Sequence, residues 1–262
     1  MALMNGSPVL TDKRFGQASQ EVRAGGATGV FTVGGACTAL GVLMVLLVGS
    51  AAFGWSTVTQ QAPEYNRAGQ LVSQPDISPW VFVGVIVALI AGIATMFRPM
   101  WAKFTGPVYA LGMGLWIGAL SHMYNAYYDG IVTQALFATL GIFVAMLFLY
   151  VTRIIKVTNR FVMIVAGATM GIALMYLFAF VVGLFGVRVS FLYDGSPLAI
   201  AISVGIIIIA ALNLAIDFAF IEKAAEHQAP KALEWYAAYG VMVTLVWLYL
   251  EVLRLLAMLN RR

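Results

Sequence analysis

Charge is what this sequence has least of. Only 10% of its 262 residues are Asp, Glu, Lys or Arg, against about 25% in a soluble globular chain, which excludes an ordinary water-soluble domain. Fifteen Lys plus Arg against eleven Asp plus Glu leave a net charge of +4, too small and too scattered for a nucleic-acid footprint. There is one cysteine, Cys37, so no intrachain disulfide can form. Neither Cys37 nor the two histidines, His122 and His227, stand at zinc-ligand spacing. Gly-x-Ser-x-Gly, His-Glu-x-x-His and phosphate-cradling loops are all missing. Hydrolysis within a membrane therefore has no nucleophile or metal to rest on, and neither an enzyme nor a cofactor is expected. What abounds is apolar: 62% hydrophobic residues and a mean hydropathy of +0.92. The chain reads as a polytopic membrane protein.

About 20 apolar residues carry a helix across the hydrocarbon core, and seven runs qualify: 28–53, 79–97, 105–122, 131–151, 161–186, 197–221 and 235–259. None alternates like a barrel strand, and backbone polar groups in lipid must be satisfied internally, so the spans are helices. The expected fold is all-α, a seven-helix transmembrane bundle over 28–262 behind a polar tail at 1–27. Span 3 is the shortest, and Gly112, Gly114 and Gly118 lower its helical propensity. Segment 54–78, with Pro63, Asn66, Gly69 and Pro75, is the longest polar loop.

Basic residues set the orientation. Lys13, Arg14 and Arg23 lie in the tail, Arg98 and Lys103 in loop 2–3, Arg153, Lys156 and Arg160 in loop 4–5, and Lys223 and Lys231 in loop 6–7. The alternate loops hold only Arg67 and Arg188. The tail is thus expected in the cytoplasm, with the protein multi-pass in the inner membrane. Seven crossings would put the C-terminus outside, yet Arg254, Arg261 and Arg262 cluster there, so a last helix buried in the bundle could present its end differently.

Gly114-xxx-Gly118 and Gly167-xxx-Gly171 match the small-residue pattern of close helix contact, read first as packing within the chain. His122 stands among Ser121, Tyr124, Asn125, Tyr127 and Tyr128, an interfacial cluster or, on a sharper reading, an ion-entry vestibule. Cys37 reads as a buried apolar residue. Arg98, at the end of span 2, either snorkels to headgroups or supports the acids described next.

Ionisable residues within spans are costly and mark function by default. Asp217 and Glu251 are flanked on both sides by apolar sequence. Asn213 and Asp217 share one helical face at i, i+4, and Thr244, Trp247, Glu251 and Arg254 share another. Each of the last two helices therefore carries a polar stripe, and the stripes are expected to face each other. The plain alternative is local: Glu251 paired with Arg254, and Asp217 hydrogen-bonded to Asn213.

The stretch from Ile216 through Asp217, Glu222 and Glu226 to His227 resembles the acidic end of the sixth helix in Bax inhibitor-like proteins, the transmembrane Bax inhibitor motif family. Leu248-Tyr249-Leu250-Glu251-Val252-Leu253-Arg254-Leu255-Leu256 resembles that family's last helix, with Glu where Asp is usual. Pro230–Gly240 and Tyr128–Ala135 are similar to a longer bacterial branch; position 219 is Ala where that branch would carry a second Asp. The resemblance implies a last helix central to the other six. It also implies a pH-sensitive leak of calcium or another cation, gated by Asp217 and Glu251 as one titrating pair, with Asn213, Arg254 and Arg98 in support. Calcium would bind there only weakly and transiently. Some bacterial relatives imply a different role, a non-transporting regulator of another membrane protein such as a membrane protease. Coupled exchange would need alternating access, and no inverted repeat is visible.

Spacing sets a condition on the pair. At 1.5 Å per residue, Asp217 lies about 6 Å from the end of its span, whereas Glu251 lies about 24 Å into the next. The two meet only if 231–240 forms a separate interfacial turn and the last helix tilts.

Overall fold

The computed structural model describes residues 29–60, 64–65, 71–72, 75–186 and 194–261. The tail assigned to 1–27 lies outside them. Seven long helices follow one another: α1 (Val33–Ser56), α2 (Pro79–Phe97), α3 (Ala102–Tyr127), α4 (Ile131–Val151), α5 (Asn159–Leu184), α6 (Pro197–Glu226) and α7 (Leu233–Asn260). Six of the seven, all but α3, are long and apolar enough to cross a membrane. Their starts follow from local chemistry. Thr32, Thr158 and Ser196 accept backbone N–H groups at the N-caps of α1, α5 and α6, and Pro79 and Pro197 occupy first-turn positions where no N–H is needed. The 54–78 loop is not wholly irregular. Strand β1 (Val58–Gln60) pairs antiparallel with β4 (Pro75–Ile77), and β2 (Glu64–Tyr65) pairs with β3 (Leu71–Val72).

The weakest span by sequence is among the longest helices. α3 has 26 residues and tolerates Pro107 inside it. Its glycines are what allow this, because they replace side chains at crossings too close for a Cβ. A Cβ on Gly114 would overlap Ser50 Oγ and the Leu47 carbonyl oxygen of α1. One on Gly118 would overlap the Ala51 carbonyl. Gly112 makes the same kind of approach to the Gly84 carbonyl of α2. The propensity lost to glycine is offset by backbone-to-backbone packing on two sides. Gly167 and Gly171 of α5 behave differently: nothing lies within 4 Å of a Cβ on either.

α7 packs against α1, α3, α4 and α6, and 20 of its 28 residues are buried. α5 is its opposite. It packs mainly on α6, and only Val162, Val165 and Thr169 of its 26 residues are buried. The wide exposed apolar face of α5, with Ile164, Leu174 and Phe178, suits lipid rather than water.

One end of the bundle gathers the start of α1, the α2–α3 turn, the α4–α5 loop and the α6–α7 hairpin; we refer to it as the basic end. There Phe31 N–H donates to the Ala229 carbonyl at 2.7 Å and Lys231 N–H to that of Gly29 at 3.2 Å. Buried Glu234, in the first turn of α7, accepts from Thr32 N–H at 3.0 Å and Thr32 Oγ1 at 2.9 Å. Phe31, Ala102, Ala224, Leu233 and Tyr236 close over this tie. A carboxylate here is stabilised by the α7 N-terminus as well as by its donors.

Candidate functional site

The two acids singled out in the sequence, and the polar groups that meet them, lie along α5, α6 and α7. On α6, Ser203, Asn213 and Asp217 fall on one face; all three are buried, Asp217 to 1% exposure. Asp217 accepts a hydrogen bond from Thr244 Oγ1 of α7 at 2.7 Å. Asn213 turns to α5 instead: its Nδ2 donates to Thr169 Oγ1 at 2.8 Å and to the Ile209 carbonyl at 2.9 Å.

Glu251 has a fuller set of partners. Ser203 Oγ donates to its Oε1 at 2.9 Å, and the Tyr176 hydroxyl of α5 donates to its Oε2 at 2.8 Å. Arg254, one turn on, forms a buried ion pair with Oε1, and its guanidinium lies 5.4 Å from the Tyr176 ring centroid. The negative charge is thus neutralised and hydrogen-bonded where it lies, as a buried ion must be. Three consecutive helices meet at this one carboxylate.

The two acids do not form the shared pair expected from the sequence. Thr244 lies opposite Asp217, and Glu251 lies seven residues farther along α7, about 10 Å by helical rise, with partners of its own. The reason is the condition set by the spacing. α7 runs unbroken from Leu233, without the separate turn over 231–240 that would have delayed it and brought Glu251 level with Asp217. The local alternative fares half and half: Glu251 pairs with Arg254, but Asn213 bonds to Thr169 rather than to Asp217. Arg98 makes no ion pair with either acid. It lies exposed between α2 and α3, its guanidinium 5.8 Å from the Trp101 ring.

A second polar cluster stands at the basic end on a different face of α6. Glu222 accepts hydrogen bonds from the Tyr150 hydroxyl and from Arg153 Nη2, and from Arg153 Nη1 at 3.2 Å. Arg153 follows the end of α4 with φ +59°, a left-handed conformation that costs a residue with a side chain about 1 kcal/mol. Its N–H bonds to the Tyr150 carbonyl at 3.0 Å and caps the helix. The expected span ends at 221, with Lys223 in the loop beyond it; α6 instead continues to Glu226.

The comparison with known families is decisive. The family model described as Bax inhibitor 1 like matches residues 7–261, nearly the whole chain. The chain belongs to that family. No curated protein and no solved structure gives a match. Membership makes this a Bax inhibitor-like membrane protein, and the acids of α6 and α7 are the positions that the resemblance singled out.

Tyr176, Ser203 and Thr169 escaped the sequence reading. Each is a hydroxyl with apolar neighbours on both sides, and nothing local says which way it turns. At the far end, His122 Nδ1 meets the Trp55 carbonyl at 2.8 Å, and its ring stacks on Trp55 at 4.9 Å, which ties α3 to the end of α1. Cys37, expected to be buried, is exposed on α1.

Proposed function

We propose that the protein is a pH-sensitive cation leak channel, with calcium as the candidate permeant ion, in the inner membrane of a bacterium. Seven helices would span the bilayer with the N-terminus in the cytoplasm and α7 at the centre, and the basic end would be the cytoplasmic one. The observation that carries the reading is the line of buried polar side chains where α5, α6 and α7 meet: Asp217–Thr244, Asn213–Thr169, and Glu251 with Ser203, Tyr176 and Arg254.

In this reading each acid has its own part. Asp217 has one hydrogen bond to offset desolvation of its charge, so its ionisation favours a state in which water or a cation reaches it. Glu251 is matched by Arg254, and releasing it to a cation means moving α5 or turning Arg254 away. Two carboxylates fall far short of the 6–8 oxygens calcium prefers, so the ion would pass rather than stay. Opening is then a shift between two packings of α5 on α6 and α7.

Purified protein in liposomes is expected to release calcium with a rate that rises between about pH 5 and pH 8 as carboxyls ionise. Empty liposomes give the baseline. An absence of flux at every pH, with a membrane protein co-purifying, would replace the channel with a regulator that binds a partner. Orientation has its own check. A cysteine in place of Lys156 is expected to resist an impermeant thiol reagent in intact cells and to react after permeabilisation; labelling from outside would reverse the topology.

A further inference from the structure

A cavity of about 230 Å³ opens at the basic end between α4, the α4–α5 loop and α6. It lies on the side of α6 turned away from Asp217, because Ala219, Glu222 and Glu226 line it and fall on a face well round the helix from 217. It is therefore no part of the polar line described above. Tyr150, Arg153, Lys156 and Lys223 bring its other polar groups, over an apolar floor of Ile155, Val157 and Ala219. Three cations thus face two acids.

Glu222 already receives Tyr150 and both terminal nitrogens of Arg153. That ion pair is solvent-exposed, with the Arg153 side chain 64% and the Glu222 side chain 31% accessible. Exposed pairs are worth little and exchange readily. Lys156 is exposed on the loop and Lys223 half-buried on α6. The backbone meanwhile places Arg153 at the cavity in a left-handed position.

We propose that this cavity binds a phosphate group, which takes the guanidinium fork of Arg153 and the ammonium groups of Lys156 and Lys223. A phosphate offers more acceptor oxygens and more charge than the Glu222 carboxylate, and a planar guanidinium matches it in a bidentate way. Helix ends at the membrane boundary are where lipid phosphates lie, and basic pockets there hold anionic headgroups. The same chemistry would accept a soluble phosphate. In either case Glu222 gives up Arg153 and keeps the hydrogen bond from Tyr150 that links α4 to α6.

The test is thermal unfolding of the full chain in a non-ionic detergent. It is titrated in parallel with dioctanoyl phosphatidylglycerol, with inorganic phosphate, and with sodium chloride at matched ionic strength. A saturable rise in Tm with the phospholipid but not with phosphate names a membrane lipid as the ligand. A rise with inorganic phosphate names a soluble one. Lys156→Gln/Lys223→Gln is expected to weaken the response about a hundredfold and Arg153→Lys about tenfold, since each lost charged contact is worth roughly one decade. Lys156→Gln alone alters only an exposed loop residue and serves if the double variant fails to fold. No shift with either phosphate source, a shift matched by sodium chloride, or an undiminished shift in the variants would overturn the proposal.

Discussion

Glu251→Gln is expected to lower the thermal stability of the protein by about 3 kcal/mol, because it removes the partner of a buried cation. Ser203 and Tyr176 donate to different oxygens of Glu251, so the single amide oxygen keeps only one of them as it stands, and Arg254, itself buried, loses the charge that its ion pair supplied. Asp217→Asn is different. The amide oxygen can accept from Thr244 as the carboxylate does, and no cation is orphaned, so the stability cost should be well below that of Glu251→Gln, no more than about 1 kcal/mol. Its effect is expected on function instead: calcium release that no longer varies with pH. Combining the two should give the sum of the single effects within about 0.5 kcal/mol, because the sites stand about 10 Å apart and share no partner. A fourth variant isolates the ion pair. Glu251→Gln/Arg254→Met should recover most of the stability lost in Glu251→Gln, since an apolar replacement of both ions is near neutral. Unfolding followed in detergent measures all four. A double variant that departs from that sum by more than about 1 kcal/mol would restore the shared acidic pair, and a fully stable Glu251→Gln would remove the ion pair from the account.

How much of this could be read from the chain alone depends on the kind of information each feature uses. Span positions come from hydropathy along the sequence, and the helices agree with the expected spans to within a few residues at most ends. The stripes on the last two helices were also legible, since Asn213 with Asp217 and Thr244 with Glu251 and Arg254 follow from helical spacing. What failed is register between helices. Whether Asp217 faces Thr244 or Glu251 depends on where α7 begins, and Ala232 and Leu233 carry no strong stop signal to mark it. Tyr176 was illegible for a related reason. α5 is nearly all lipid-facing, and only tertiary structure says which of its few polar groups turns inward. Glu222 falls beyond the expected span because a helix end that projects into water keeps its helical bonds after its hydropathy has fallen. Conversely, the glycines of α3 were read correctly as contact points, although the same residues had made that span look weakest. Glycine lowers propensity and permits close packing at once, and the second effect prevails only when a neighbouring backbone is there to fill the space.

That last distinction can be measured directly. Gly118→Leu is expected to cost about 3 kcal/mol, the upper range for overpacking, because the first added carbon already overlaps the Ala51 carbonyl oxygen and lies tight against Trp55 N. Both are backbone atoms of α1, which have no rotamer to relax into, so α1 and α3 must move apart along their length. Gly114→Leu meets Ser50 Oγ and the Leu47 carbonyl and should behave alike, with the added loss of the Ser50 hydrogen bond to Ala110 O across the same crossing. Gly167→Leu and Gly171→Leu enter open space on α5 and are expected to change stability by no more than about 0.5 kcal/mol. Oligomeric state in detergent, followed by size-exclusion chromatography with light scattering, should be the same for all four. The four glycines have the same local sequence pattern, so any difference between the pairs reports the neighbouring backbone alone. If Gly167→Leu destabilised as much as Gly118→Leu, the α5 face would be packed against something, and a change in oligomer size in that variant would identify a second copy of the chain.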